Sequence, residues 1–303
     1  MIESLDVWLA VGGLLAGLMV GLTGMGGAVL VTPLLILVFG LPPAVAVSSD
    51  VVANAIIKPV GSIVHVRTRT VHWGLVQWLS LGSVPGILLG TIVFARALSD
   101  PASAAQLKYI IGIVLLIALA ASVVRPWIVR LRRSDVEVVA PDDPRRGPMA
   151  PIKRVLTLAV GFVVGIIVGM TSVGSGSLIV ISLLVLYPLL APRVLVGTDL
   201  TQAVPMLAAG ALAHMTIGDV DWRVTGALLV GQIPGVWLGA RMSSRYDGRL
   251  LKALLMVVLA ATALKLLGVA TVICGTIAIA GVVVLVIQFI RERAAARVAQ
   301  DVS

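Results

Sequence analysis

Charge is scarce in this sequence. Asp, Glu, Lys and Arg make up 12% of the 303 residues, about half the share of an ordinary soluble domain. So few charges cannot cover the surface of a water-soluble globule. Cysteine is nearly absent as well: Cys274 stands alone in an apolar run, which excludes a disulfide framework and a thiolate metal site. Three scattered histidines add no metal constellation. No Gly-x-x-x-x-Gly-Lys-Ser/Thr segment occurs, so ATP-driven pumping is not expected, and the absence of His-Glu-x-x-His removes the commonest metalloprotease signature. No reactive constellation points to catalysis, and neither a cofactor nor a metal is expected. The opening residues Met1 to Asp6 contain no basic residue, so a cleavable signal peptide is not expected and the first hydrophobic segment stays in the mature chain.

What is present is apolar. Hydrophobic residues make up 59% of the chain and the mean hydropathy is +1.10; such a chain belongs in a lipid bilayer. The net charge of +9 would suggest nucleic acid in a soluble protein. Here the basic residues gather in the stretch 125–154 and in the C-terminal tail, which fits the cytoplasmic face of a membrane and no nucleic acid partner.

Apolar segments run over 7–39, 44–66, 73–95, 106–124, 155–190, 193–215, 223–240, 250–268 and 269–290. Most match the ~20 residues that cross ~30 Å of hydrocarbon. Segments 7–39 and 155–190 are too long, at about 50 Å or more as straight helices of ~1.5 Å per residue. Each carries a glycine cluster at its middle, 21–27 and 169–176. Each therefore reads as two short helices joined at a break, as a hairpin or a re-entrant pair.

The chain also repeats itself. Gly17, Gly21, Thr23 and Gly26 recur 148 positions later as Gly165, Gly169, Thr171 and Gly174. After a one-residue slip, Pro43, Asp50, Gly61, His65, Trp73, Pro85, Gly86 and Gly90 recur as Pro192, Asp199, Gly210, His214, Trp222, Pro234, Gly235 and Gly239. The units are a first membrane repeat, 7–124, a basic loop, 125–154, a second repeat, 155–268, and an extra helix with a tail, 269–303. With Arg125, Arg130, Arg132, Arg133, Arg145, Arg146, Lys153 and Arg154 inside and the long segments read as hairpins, every basic cluster falls in the cytoplasm, whereas single spans would put the 241–252 loop outside. The loops 67–72 and 216–221 then face opposite sides, the N-terminus lies outside and the C-terminus inside. The expected fold is all-α: a polytopic transmembrane helical bundle built from two inverted-topology repeats with glycine-broken helices, an architecture that places a transport site near the midplane.

Candidate site residues follow from the breaks. Helix ends inside a membrane expose backbone N–H groups with partial positive charge, a setting for an anion. Thr23, Gly24, Gly26 and Gly27 in one break, and Thr171, Ser172, Gly174 and Ser175 in the other, offer close backbone approach and hydroxyl donors. The alternative is that these glycines only let helices pack closely. Asp50 and Asp199 are intramembrane acids, expected to be protonated, paired or facing water and thus candidates for proton coupling; equally, each follows a proline closely enough to cap a helix start. Lys58 has Leu207 at the equivalent position. It either draws an anion inward or snorkels to the interface. Asn54 and Gln202 lie within a turn of the two acids and are expected to line the same cavity. His65 and His214 are either proton relays or interfacial residues.

The run Gly21-Leu22-Thr23-Gly24-Met25-Gly26-Gly27, with Pro33-Leu34-Leu35 and Leu41-Pro42-Pro43 after it, resembles the first-half signature of the TauE/SafE sulfite exporter family. Val196-Gly197-Thr198-Asp199-Leu200, Gly218-Asp219-Val220-Asp221-Trp222 and Pro234-Gly235-Val236-Trp237-Leu238-Gly239 resemble its second half. The resemblance covers about 7–268. It implies an inner-membrane permease for sulfite, an organosulfonate or a related small organic anion, driven by the proton-motive force, in the outward direction, with the two breaks facing substrate. Ala28 and Ser175 depart from the glycine-richer run usual in the family. The alternatives are a passive anion channel and a non-transporting membrane subunit. The expected partners are a small anionic substrate and the bilayer, with a homo-oligomer left open.

Overall fold

The computed structural model describes residues 2–23, 28–99, 101–133, 152–188, 190–242, 249–270, 273–276 and 280–281. The described residues form ten helices and no strand. They are α1 (Ile2–Thr23), α2 (Ala28–Leu37), α3 (Pro43–Arg67), α4 (Trp73–Leu98), α5 (Pro101–Arg133), α6 (Arg154–Thr171), α7 (Leu178–Leu186), α8 (Pro192–Ile217), α9 (Trp222–Met242) and α10 (Arg249–Leu266). Five stretches are long and apolar enough to cross a membrane: Pro43–Arg67, Trp73–Leu98, Gln106–Val124, Arg154–Thr171 and Arg193–Ile217. The all-α polytopic bundle expected from the sequence is thus found. Helix α5 runs on to Arg133, so the first part of the basic stretch 125–154 is helical. Most of the helix expected over 269–290, and all of the tail, lie outside the described residues.

Both over-long segments are broken and folded back. Gly12, midway along α1, lies against Leu34 and Phe39, so α2 returns beside α1. The Thr157 and Tyr187 hydroxyls meet at 2.6 Å, closing α7 against the start of α6. These are hairpins. The second break is built by backbone chemistry. α6 stops where Ser172 turns left-handed at φ 59°, and Gly174 follows at φ +116°, a conformation that side chains other than glycine rarely tolerate.

The two halves exchange helices. α1 packs along α9 and α4 along α6, each pair on a seam of glycines spaced by four, which lets backbones touch. A Cβ on Gly13 would fall against the carbonyl of Leu228, and one on Gly17 on that of Gln232. A Cβ on Gly161 would meet the carbonyl of Leu79, and one on Gly165 that of Ser83. Residues of one seam map onto the other by the offsets of the sequence repeat. Helices within each seam run in the same direction, because their contacts advance together.

At the centre, α3 crosses its own repeat equivalent, α8. Ser48 meets His214, Val51 faces Gly210, Gly61 lies under Leu200, and Ser62 donates to Thr201 at 3.1 Å. One number rises as the other falls, so α3 and α8 are antiparallel. Outward faces carry exposed apolar side chains such as Leu81, Leu212 and Val230, as lipid contact requires. Trp73 and Trp222, both exposed, open α4 and α9, the position aromatic residues favour at a membrane interface.

Candidate functional site

Asp50, Asn54 and Lys58 follow one another at helical spacing along α3, so they share a face. All three are buried, Asp50 at 0% and Lys58 at 3% exposure; Lys58 does not reach the interface. Asp50 lies two turns inside α3, whose start is formed by Pro42 and Pro43 without a side-chain cap. The capping alternative for this acid is therefore corrected. Its Oδ2 accepts the Thr32 hydroxyl at 2.6 Å and the Ser172 hydroxyl at 2.9 Å. Its Oδ1 accepts the Asn54 amide at 2.7 Å. Three donors on one carboxylate supply the hydrogen bonds that a buried charge needs. The Lys58 ammonium donates to the Ser175 hydroxyl at 3.2 Å. The α6–α7 break thus lies across the polar face of α3, with Ser172 over Asp50 and Ser175 over Lys58.

The remaining candidates are placed as follows. The Thr171 hydroxyl donates to the Ile167 carbonyl at 2.7 Å and accepts from the Val173 N–H at 3.2 Å, so it is spent on the break itself. Gly174 supplies the turn. Asp199, 2% exposed, sits in the second turn of α8. Lys58 lies within Coulombic reach of both acids. Gln202 is fully buried; its amide oxygen accepts from Ser83 of α4 at 3.1 Å, and its amide nitrogen makes no hydrogen bond. Thr23 is the last residue of α1, while Gly24, Gly26 and Gly27 lie outside the described residues.

His214 is not interfacial. It is fully buried, and its Nε2 lies 2.9 Å from the Gly169 carbonyl, which can only accept. The neutral ring therefore carries its proton there, and its Nδ1 accepts from the Ser48 hydroxyl at 3.0 Å. Ser48 in turn accepts the Asp219 N–H at 3.1 Å. His65 is half-buried and meets the Thr70 hydroxyl at 2.8 Å.

Hydroxyls just before each acid tie the ends of the crossing, a feature sequence reasoning passed over. Ser49 accepts the Asp221 N–H at 3.1 Å, and Thr198, its equivalent, accepts the His72 N–H at 3.0 Å. His72 and Asp221 are themselves equivalent and cap α4 and α9 with their side chains. Burial holds the His72 pKa below the ordinary histidine value, which keeps its Nδ1 an acceptor for the Leu75 N–H. Thr32 was missed as well; a hydroxyl within an apolar helix gives no warning of its partner. A groove bordered by Gln77, Trp78, Ser80, Leu81, Val84 and Pro85 lies along α4 alone and includes none of these polar residues.

Paired broken hairpins around a buried, charged helix crossing, in a bundle of membrane-crossing helices, define a membrane transporter. The chain belongs to the TauE/SafE family: the profile described as "Sulfite exporter TauE/SafE" matches residues 9–266. It is 36% identical over 259 residues to "Probable membrane transporter protein YjnA" of Bacillus subtilis (strain 168), covering 84% of this chain and 97% of that protein. It is 26% identical over 251 residues to "Probable membrane transporter protein YunE" of the same organism, covering 80% and 89%. A "Probable membrane transporter protein" of Xylella fastidiosa (strain 9a5c) is 27% identical over 248 residues, covering 81% and 87%. No solved structure matches the chain.

Proposed function

We propose that the protein is a secondary transporter of a small anion, such as sulfite, an organosulfonate or a related organic acid, working by alternating access in the bacterial inner membrane. The observation that carries this reading is the buried Asp50–Lys58 face of α3 beneath the α6–α7 break. Charged groups inside membrane spans are costly and mark ion and substrate paths. Lys58 supplies the attraction for the anion, Ser172, Ser175 and Gly174 shape its surroundings, and the buried acids couple its movement to protons. Transport runs outward, as the description of the matched family suggests, and the inside-negative membrane potential favours exit of net negative charge. The sealed polar cluster favours a carrier over a passive channel, because a channel needs a continuous wet path. Counterflow in proteoliposomes tests this, using sulfite, sulfonates, sulfate and small carboxylates with and without a pH gradient. Selective exchange that the gradient accelerates is expected. Ohmic conductance without exchange would establish the channel, and inertness towards every anion would point to a non-transporting subunit.

The same reading makes the halves inverted repeats, with the N-terminus outside and the C-terminus cytoplasmic. The antiparallel crossing of the equivalent helices α3 and α8 supports it. Single cysteines at Arg67→Cys and Asp219→Cys, in a chain carrying Cys274→Ala, are expected to react with an impermeant maleimide from opposite faces of the membrane. Labelling of both from one face rejects the inversion.

A further inference from the structure

Two buried glutamines keep a donor that no group among the described residues accepts. Gln202 is fully buried and Gln232 is 2% exposed, and the amide nitrogen of each makes no hydrogen bond. Buried polar groups without a partner are costly and uncommon. The two are not copies of one another. Gln202 of α8 corresponds to Ala53, and Gln232 of α9 to Ser83. They nevertheless mark the same contact in the two halves. Ser83 of α4 donates to the Gln202 amide oxygen at 3.1 Å, so the first amide lies between α4 and α8. A Cβ on Gly165 would meet the Ser83 carbonyl, and one on the equivalent Gly17 would meet that of Gln232. The backbone of Gln232 therefore stands where that of Ser83 stands in the other half. The equivalent contact, α3 with α9, pairs Ala53 with Gln232 by the same offsets. Each contact thus carries one glutamine, on the central helix in one half and on the outer helix in the other. Copying alone does not produce this pattern, because the copied positions hold different residues.

The crossing of α3 and α8 gives these amides a scale. Residues 48, 51, 61 and 62 meet 214, 210, 200 and 201. At ~1.5 Å per residue, the two helices then pass their own equivalents at about residues 56–57 and 205–206. Lys58 lies roughly 2 Å along the axis from that centre, Gln202 roughly 5 Å to one side, and Ala53 roughly 5 Å to the other. The buried lysine stands between two unpartnered amides.

Resting on the transporter reading above, we propose that the carboxamides of Gln202 and Gln232 are paired oxyanion donors on either side of Lys58, each holding the anion in one of the two access states. A neutral amide suits such a station. It donates to an anion's oxygen without adding charge, and a path needs binding weak enough for the ion to leave. Lys58 supplies the attraction, and a sulfonate has several oxygens, so one can stay at the lysine while another meets an amide. On the orientation proposed above, α3 ends in the cytoplasm. Gln202 then serves the inward-open state and Gln232 the outward-open state, and an anion leaving the cell passes from the first to the second across Lys58.

Methionine in place of each glutamine keeps the length of the side chain and removes both N–H groups. Gln202→Met and Gln232→Met, made in the full chain, are expected to unfold in detergent no earlier than wild type when no anion is present. The fold loses no bond from the amide nitrogen, and Ser83 can turn its hydroxyl to a carbonyl of its own helix. Methanesulfonate is expected to raise the wild-type midpoint, as a ligand of the folded state does, and to raise those of the variants less. In right-side-out membrane vesicles, Gln232→Met is expected to raise the half-saturating methanesulfonate about tenfold, the scale of a hydrogen bond to a charged group. Gln202→Met is expected to do the same in inverted vesicles, with vesicles lacking the protein as background.

A midpoint that falls in either variant without anion means that the amide holds the fold through a buried water, and overturns the proposal. Half-saturation unchanged in both variants overturns it too and leaves the transporter reading standing. A rise on the same side in both overturns the division between states. Rises on the sides opposite to those stated uphold the division and reverse the orientation. Should the wild type exchange nothing, the transporter reading fails. Methanesulfonate that then still raises the midpoint of the wild type alone keeps the amides as an anion site, and methanesulfonate that stabilises none of the three overturns that as well.

Discussion

Replacing Gly86 with alanine is expected to remove most of the folded protein from the membrane, while the same change at Gly226 leaves its yield and unfolding midpoint intact. A Cβ on Gly86 would land on the carbonyl of Phe162, a backbone atom of the neighbouring helix α6. No rotamer relieves that contact, so α4 and α6 must separate along the seam. Overpacking of this kind typically costs about 1–3 kcal/mol, occasionally more, and separating the seam also sacrifices the contacts of Gly82 and Gly90 on either side. Gly226 is exposed on α9 and a Cβ there meets nothing within 4 Å. Alanine at such a site gains up to about 1 kcal/mol of helix propensity. Gly235→Ala repeats the experiment on the other seam, where the Cβ would meet the carbonyl of Leu14. Fluorescence-detected size exclusion and a thermal melt in detergent read all three. An unchanged midpoint in Gly86→Ala would mean that the seam is looser than its geometry.

The seam also shows what the sequence can and cannot disclose. Composition, the spacing of apolar runs and the glycine clusters were enough to read the broken hairpins, because a helix too long for the bilayer has few other solutions. The repeat itself was visible because glycine, proline and tryptophan are uncommon enough for coincidences to count. The partner of each helix was not visible. Gly17 and Gly165 advertise close packing, yet nothing in their spacing says that α1 meets α9 of the other half and not its own neighbour. That choice is made by surfaces brought together only once both halves exist.

Side-chain partnership was legible in the same uneven way. Asp50, Asn54 and Lys58 stand out because polar residues at helical spacing in an apolar run must face something. Ser172 and Ser175 were singled out as donors toward a ligand, and in the structure they meet Asp50 and Lys58. Thr32 gave no signal, since threonine inside an apolar helix commonly satisfies its hydroxyl on its own backbone. His214 looked like a helix-end residue and proves to be a buried strut between Ser48 and the Gly169 carbonyl. Lys265 places its ammonium 3.4 Å from the carbonyl of Ile36 in the last turn of α2, where a cation meets the negative end of a helix.

Asp50→Leu is expected to be the most damaging single change in the polar crossing, and its cause can be isolated. Leucine has the branching of aspartate, with bulkier methyls in place of the oxygens and no acceptor, so the hydroxyls of Thr32 and Ser172 lose the oxygen they share and Asn54 keeps only its bond to the residue-50 carbonyl at 2.9 Å. Each buried donor left without a partner costs about 1–3 kcal/mol, and breaking a buried charged network by removing one member typically costs about 3–5 kcal/mol. The chain itself supplies the rescue, because the equivalent positions of the other half are Val180, Gly24 and Ala203. Adding Thr32→Val, Ser172→Gly and Asn54→Ala to Asp50→Leu removes the orphaned donors together with their acceptor. Glycine at 172 also suits the left-handed backbone there, φ 59°. The quadruple variant is expected to recover most of the lost unfolding midpoint, since apolar replacement of both partners can be nearly neutral. Recovery assigns the damage to unsatisfied donors. Failure to recover assigns it to the missing negative charge, and would mean that Lys58 leans on Asp50 as much as on Asp199.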